Sequence, residues 1–301
     1  MGNPRAAITM TVAAAALFAT GGTAQALGPS GTTPFTVAEM RLGIGGIVML
    51  LVLPLIGYHA RQVWQLFHHP LVWLSAAASL GFQVLYFTGV SQAGVALGSL
   101  LAMGSVPVFA GLLGPLIGHR ITRAWSIATA ICVTGLALLS LDGIQGGSGW
   151  GVVAALAGGL SGAIFVLTTK VIIERGMPGV PANVAAYLIA GAALIPIIVI
   201  VPQETAWILT AGGVILAVYL GMFAMAIPNI LWVTGLAGLA PGPSSTLMLT
   251  EPAVATLLGI VVLGESLAIA GIVGIVLVMV GLLLQGLALA RTPDEEPIAP
   301  M

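Results

Sequence analysis

One carboxylate, Glu251, stands inside a long apolar run, between Leu247-Met248-Leu249-Thr250 and Pro252-Ala253-Val254. An ionised acid deep in a hydrocarbon layer costs about 2.5–3.5 kcal/mol on insertion scales, so it must face a cavity, meet a partner or carry a proton. Two chemistries follow: coupling of a process to protons, or anchoring of a substrate amine. The plainer reading is a hydrogen-bonded glutamate that settles a helix break at Pro252. Gln83, Tyr86, Asn229 and Trp232 come next, each near the middle of an apolar run. Gln83 and Tyr86 share a helix face at i, i+3, as do Asn229 and Trp232. Beside Asn229, Pro228 lacks an N–H and releases carbonyls that can bind a ligand or water. We read these five residues as the lining of a substrate cavity. The plainer role of the two amides is adhesion between helices, worth about 0.6 kcal/mol per contact.

Such side chains need a frame that keeps them inside lipid. Of the 301 residues, 59% are hydrophobic and 6% charged, against about 25% charged in soluble domains. No soluble fold can hide that much apolar surface. In lipid every backbone polar group must be paired within the protein, which leaves helices or closed barrels. Barrel strands alternate apolar and polar residues over about ten positions. Here the apolar runs are continuous over about twenty residues, the length a helix needs to cross the bilayer. The chain is therefore read as an all-α integral membrane protein of ten transmembrane helices, over 6–26, 36–56, 71–91, 94–117, 123–141, 150–170, 181–201, 212–236, 243–263 and 267–289. Pro and Gly clusters punctuate them, as at Gly28-Pro29-Ser30-Gly31 and Pro241-Gly242-Pro243. Only Gln92 and Gly94 separate the third from the fourth.

Basic residues in short loops set orientation. With the N-terminus in the cytoplasm, Arg5, Arg61, Arg120, Arg123, Lys170, Arg175 and Arg291 fall inside, seven of the eight basic residues, and only Arg41 falls outside. The expectation is a multi-pass protein of the cytoplasmic (inner) membrane with both termini inside. The competing reading of residues 1–26 is a cleavable signal peptide, with Arg5, an apolar stretch and Ala24-Gln25-Ala26 as a small-residue site.

The two halves of the chain match each other. Leu85-Tyr86-Phe87-Thr88-Gly89 corresponds to Leu231-Trp232-Val233-Thr234-Gly235, a shift of 231−85 = 146. At that shift Gln83 meets Asn229, Ser99 meets Ser245, Gly118 meets Gly264 and Gly135 meets Gly281. Five helices is an odd number, so the second half must lie inverted relative to the first. This arrangement places a substrate site near the midplane between the halves. The expected division is a first repeat at 1–141, a linker at 142–149, a second repeat at 150–289 and a cytoplasmic tail at 290–301.

Ser105-Val106-Pro107-Val108-Phe109 followed by Gly118-His119-Arg120-Ile121-Thr122 resembles the Pro-Val-Phe…Gly-Glu-Arg-Leu-Thr segment of the drug/metabolite transporter superfamily, EamA type. Glu251-Pro252-Ala253 with Leu263-Gly264-Glu265-Ser266-Leu267 resembles its second copy, and Ala38-Glu39-Met40-Arg41 resembles the arginine that opens the second helix. The resemblance covers about residues 6–289. It implies ten helices in a basket around a central cavity lined by helices 1, 3, 4, 6, 8 and 9, and a role in moving amino acids or other small metabolites, mostly outward. His119 departs from the family's glutamate, so no functional role is carried onto it. Glu265 stands at a helix junction, where capping or pairing accounts for it.

The remaining features narrow the function. Gly94 with Gly98, Gly114 with Gly118, and Gly158 with Gly162 suit close helix packing. Gly146-Gly147-Ser148-Gly149 lacks the lysine of a phosphate loop. His59, His68 and His69 have no carboxylate or cysteine beside them to make a metal site. The single cysteine, Cys132, excludes an intramolecular disulfide and reads as a small buried hydrophobe. No cofactor motif is present, and the formal net charge of −1 gives no footprint for nucleic acid. The expected function is a secondary transporter, an exporter of a small metabolite such as an amino acid or amine, working by alternating access. Its partners are the lipid bilayer, a small-molecule substrate and protons as coupling ion. The alternative is a membrane-embedded enzyme or lipid-processing protein using Glu251 as acid/base, although acid–base work usually needs a second group.

Overall fold

The computed structural model describes residues 4–140, 148–200, 202–264 and 268–291. Glu265, residues 141–147 of the linker region and residues 292–301 of the tail lie outside them. Among the described residues every regular element is helical. Nine helices among these residues are long and apolar enough to cross a membrane: α1 (Pro4–Ala26), α2 (Thr36–Ile56), α3 (Pro70–Ala93), α4 (Leu97–Ile117), α6 (Gly149–Glu174), α7 (Gly179–Pro196), α8 (Ala211–Ala237), α9 (Pro241–Leu263) and α10 (Ile269–Arg291). A shorter apolar helix, α5, covers Arg123–Leu139. The chain is a multi-pass membrane protein.

Local chemistry sets the helix ends. Leu71 N donates to His69 Nδ1 at 3.2 Å, and Pro70 takes the first helical position, where its missing N–H costs nothing. Gly94 turns the chain between α3 and α4 at φ +87°, where a Cβ would be strained. Gly118 does the same after α4, also at φ +87°. These two glycines therefore serve turns, whereas Gly158 and Gly162 do pack, on the backbone beside Tyr86 and on Phe82 of α3. Ser148 caps α6 by accepting from Gly151 N at 3.1 Å, and its own N–H donates to Gln92 O at 3.1 Å.

The helices pack in a defined pattern. Helix α3 packs on α6 and α7, and α4 on α6; likewise α8 packs on α1 and α2, and α9 on α1. Three further seams join α2 to α7, α4 to α9 and α5 to α10. The last is set by glycine: a Cβ on Gly135 would lie 2.6 Å from the carbonyl oxygen of Gly274, and one on Gly274 the same distance from that of Gly135. The main core gathers side chains from α2, α7 and α8, with Leu42, Met49, Val184 and Leu236 wholly buried.

Helix α6 runs past Lys170, where the sequence reading stops it, to Glu174. Lys170 is consequently buried in the bundle instead of lying in a loop, with 5% of its surface exposed. Its ammonium donates to the carbonyls of Leu236 at 3.1 Å and Ala237 at 3.4 Å, in the last turn of α8. A cation suits that negative end of the helix dipole. Lys170 Nζ also lies 3.5 Å from Glu174 Oε1, which is 2.9 Å from His119 Nε2. Replacing Lys170 with Met should therefore strip two charge-assisted hydrogen bonds, about 1.5–3 kcal/mol each. The expected outcome is a clearly lower unfolding temperature of the purified protein in detergent, with His119→Ala producing a smaller loss.

Candidate functional site

A cavity of about 200 Å³ opens inside the bundle. Its polar wall carries all five side chains singled out above, Gln83 and Tyr86 from α3, Asn229 and Trp232 from α8, and Glu251 from α9. Its apolar wall includes Phe18 of α1, Met103 and Val106 of α4, and Phe165 of α6. Helices α2 and α7 contribute as well, through Arg41 and Tyr187.

Irregular helices shape this wall. In α8 a π-helical turn spans Met222–Ala226 just before Pro228. Pro228 has no N–H for the carbonyl four residues earlier, that of Ala224. The freed Ala224 oxygen accepts from Arg41 Nη2 at 3.4 Å. Arg41 itself sits on a second π-helical turn, Met40–Ile44 of α2. Such turns recur at functional sites because they redirect side chains and leave carbonyls exposed. The two turns meet closely: a Cβ on Gly45 would strike Met225, and one on Gly221 would strike Ile44.

Helix α9 is broken into Pro241–Leu247 and Thr250–Leu263. Pro252 cannot donate to the carbonyl of Met248, which instead accepts from Glu251 N at 2.9 Å. Glu251 thus stands in the first turn of the second segment, where the helix dipole favours a negative charge. Among the described residues its carboxylate has no ion-pair partner within 4.0 Å; the ion pairs present are His119–Glu174 and Lys170–Glu174.

Asn229 is tied down. It is 1% exposed, its Nδ2 donates to the Tyr187 hydroxyl, and its Oδ1 accepts from Asn183 Nδ2 at 3.2 Å. Thr169 Oγ1 donates to Asn183 Oδ1 at 3.3 Å and extends the chain into α6. Phe165 stacks on both Tyr187 and Trp232, with ring centroids 5.9 and 5.3 Å apart. Asn229 therefore positions an aromatic wall built from α6, α7 and α8. Tyr86 pairs its hydroxyl with Ser99 Oγ at 3.1 Å and packs edge-on against Phe87. Gln83, with no such tether among the described residues, is the freer amide.

Among the lining residues that the sequence reading does not single out are Arg41, Tyr187 and Phe165. Arg41 was placed at an outer helix end, but it lies seven residues beyond Pro34, roughly 10 Å into the helix at 1.5 Å per residue. Counting from the Thr33 cap would have found it. Tyr187 with Asn183, at i, i+4 in an otherwise apolar helix, was a visible polar stripe. Phe165 carried no signal beyond being aromatic.

The comparisons agree with this picture. The model of the EamA-like transporter family matches residues 5–141 and 149–287. A Bacillus subtilis (strain 168) protein named "Uncharacterized transporter YwfM" is 35% identical over 272 residues, 90% of each chain. An Escherichia coli (strain K12) protein named "Uncharacterized inner membrane transporter YedA" is 24% identical, over 80% of this chain and 78% of its own. A solved crystal structure shares the fold with a TM-score of 0.80 at 18% identity, covering 96% of this chain and 99% of its own. With its cavity, its broken helices and a family match along nearly its whole length, the chain belongs to the EamA-like transporter family.

Proposed function

We propose that the chain is a secondary carrier that exports a small metabolite, such as an amino acid or amine, across the cytoplasmic membrane. Ten helices form two inverted halves, 1–141 and 150–289, joined by the linker 142–149, with both termini and the 290–301 tail in the cytoplasm. The observation that carries this reading is the cavity, which takes Gln83 and Tyr86 from one half and Asn229, Trp232 and Glu251 from the other. A site shared between halves can open to either side as the halves rock against each other.

The packing pattern supports the inverted repeat. Advancing each helix number by five, with α6 to α10 returning to α1 to α5, turns the α3–α6, α3–α7 and α4–α6 contacts into α8–α1, α8–α2 and α9–α1, all present. The α5–α10 seam maps onto itself, and its glycine contacts follow. Gly135 on Gly274 becomes Gly281 on Ala128 under the 146-residue shift, and a Cβ on Gly281 would indeed lie 2.8 Å from Ala128 O.

Within this scheme Glu251 exchanges a proton for the cationic group of the solute, and Gln83 lends the solute an amide. The family match and a relative named as a transporter favour a transporter over an enzyme. Profiling metabolites in the medium of cells with and without the gene tests export: one or a few small amines or amino acids should be enriched only with the gene. Unchanged medium, or a chemically converted product, contradicts the reading. Gln83→Ala should weaken apparent affinity several-fold, about the worth of one hydrogen bond, and leave the pH dependence of flux intact. Asn229→Ala should weaken affinity too, through the loosened Tyr187 and Trp232 wall.

A further inference from the structure

We propose that Arg41 is the residue that selects the solute, holding its carboxylate while Glu251 holds its ammonium group. The assignment rests on the carrier reading and deepens it at the same site. Both side chains line one cavity, yet they form no ion pair with each other within 4.0 Å. The guanidinium has five N–H donors. Its hydrogen bond to a described residue goes to Ala224 O at 3.4 Å, its Nε is buried without a hydrogen-bond partner among the described residues, and its guanidinium lies over the Phe18 ring at 6.0 Å. A planar fork of unused donors matches a carboxylate, which takes two of them at once. The facing π-helical turns of α2 and α8, locked by the Gly45–Met225 and Gly221–Ile44 contacts, hold the fork in place.

Electrostatics then decides among solute classes. An amine without an acid would meet Glu251 but leave Arg41 uncompensated and repelling it. A carboxylic acid without an amine would suffer the converse from Glu251. A solute with both charges satisfies both side chains, in a site where isolated charges are expensive. Its uncharged part would rest on Phe82, Met103, Val106 and Phe165, so an apolar side chain that fits about 200 Å³ is preferred.

The test uses the full-length purified protein in nanodiscs and three probes of one skeleton: leucine, 3-methylbutylamine, which lacks the carboxylate, and 4-methylpentanoate, which lacks the amine. Binding is read by calorimetry and flux in liposomes. Wild type should bind leucine at least about tenfold more tightly than either fragment. Arg41→Gln, checked for a monodisperse chromatographic peak, should lose leucine affinity by a similar factor and erase the preference over the amine. Arg41→Lys should recover part of it, since charge remains and the fork is lost. If the glutamine variant fails to fold, the wild-type ratios and Arg41→Lys still decide. Equal wild-type binding of leucine and 3-methylbutylamine, or no binding of any probe, overturns the assignment. Flux of the bare amine, or of any other solute, would leave the carrier reading standing. Loss of all flux for every solute would instead strike that reading.

Discussion

Glu251→Gln should abolish the response of flux to an imposed pH gradient, and lower flux itself by at least about tenfold, while expression and chromatographic behaviour stay as in wild type. The isostere keeps the shape and hydrogen-bonding capacity of the side chain but cannot carry a charge or exchange a proton. Its position in the first turn of the second α9 segment, against the cavity, means that little packing changes. What is lost is the charge-assisted contact with the solute's cationic group, worth about 1.5–3 kcal/mol, or roughly ten- to a hundredfold. In the proposed scheme cation binding and proton binding compete for one carboxylate, and that competition is the coupling. Flux assays across pH in liposomes, with and without a gradient, read it directly. A Glu251→Gln protein that transports like wild type at every pH makes Glu251 structural.

The second large effect is on stability. Gly135→Leu or Gly274→Leu should lower the unfolding temperature sharply or prevent recovery of folded protein. Each Cβ would lie 2.6 Å from a backbone carbonyl on the opposite helix, so the α5–α10 seam must part. Overpacking alone costs about 1–3 kcal/mol, and here the obstacle is backbone that cannot swing aside as a side chain can. Gly22→Ala and Gly286→Ala serve as controls, because a Cβ at either meets nothing within 4 Å and alanine favours a helix by about 1 kcal/mol. Thermal unfolding in detergent should place these controls at or above wild type. If the leucine variants unfold with them, the seam is looser than the contacts imply.

Much of the helical frame was legible in the sequence. The reading of 71–91 became Pro70–Ala93, and 243–263 became Pro241–Leu263, because an apolar run and its Pro or Gly stop are local signals. The five candidate side chains converge on one cavity for the same reason: a polar group amid an apolar run must turn inward. What stayed hidden depends on contacts between helices. Lys170 looked like a helix end, since its charge seemed to need water; carbonyls of Leu236 and Ala237, 66 and 67 residues away, satisfy it instead. Arg41 reads as a basic residue at the outer opening of the second helix, because the carbonyl that receives it is freed by Pro228 on another helix. The π-helical turns at Met40–Ile44 and Met222–Ala226 arise where those two helices press together, and no single segment announces them.

Counterflow is the most direct test of the central claim that this chain is a carrier with a site alternately open to either side. Purified protein is placed in liposomes preloaded with the unlabelled solute that medium profiling singles out, and a trace of the labelled solute is added outside. A carrier exchanges the two, so label should accumulate transiently above its equilibrium level, chemically unchanged, and do so only in vesicles that hold protein. Label that merely equilibrates without an overshoot, or that is converted into another compound, would contradict the account.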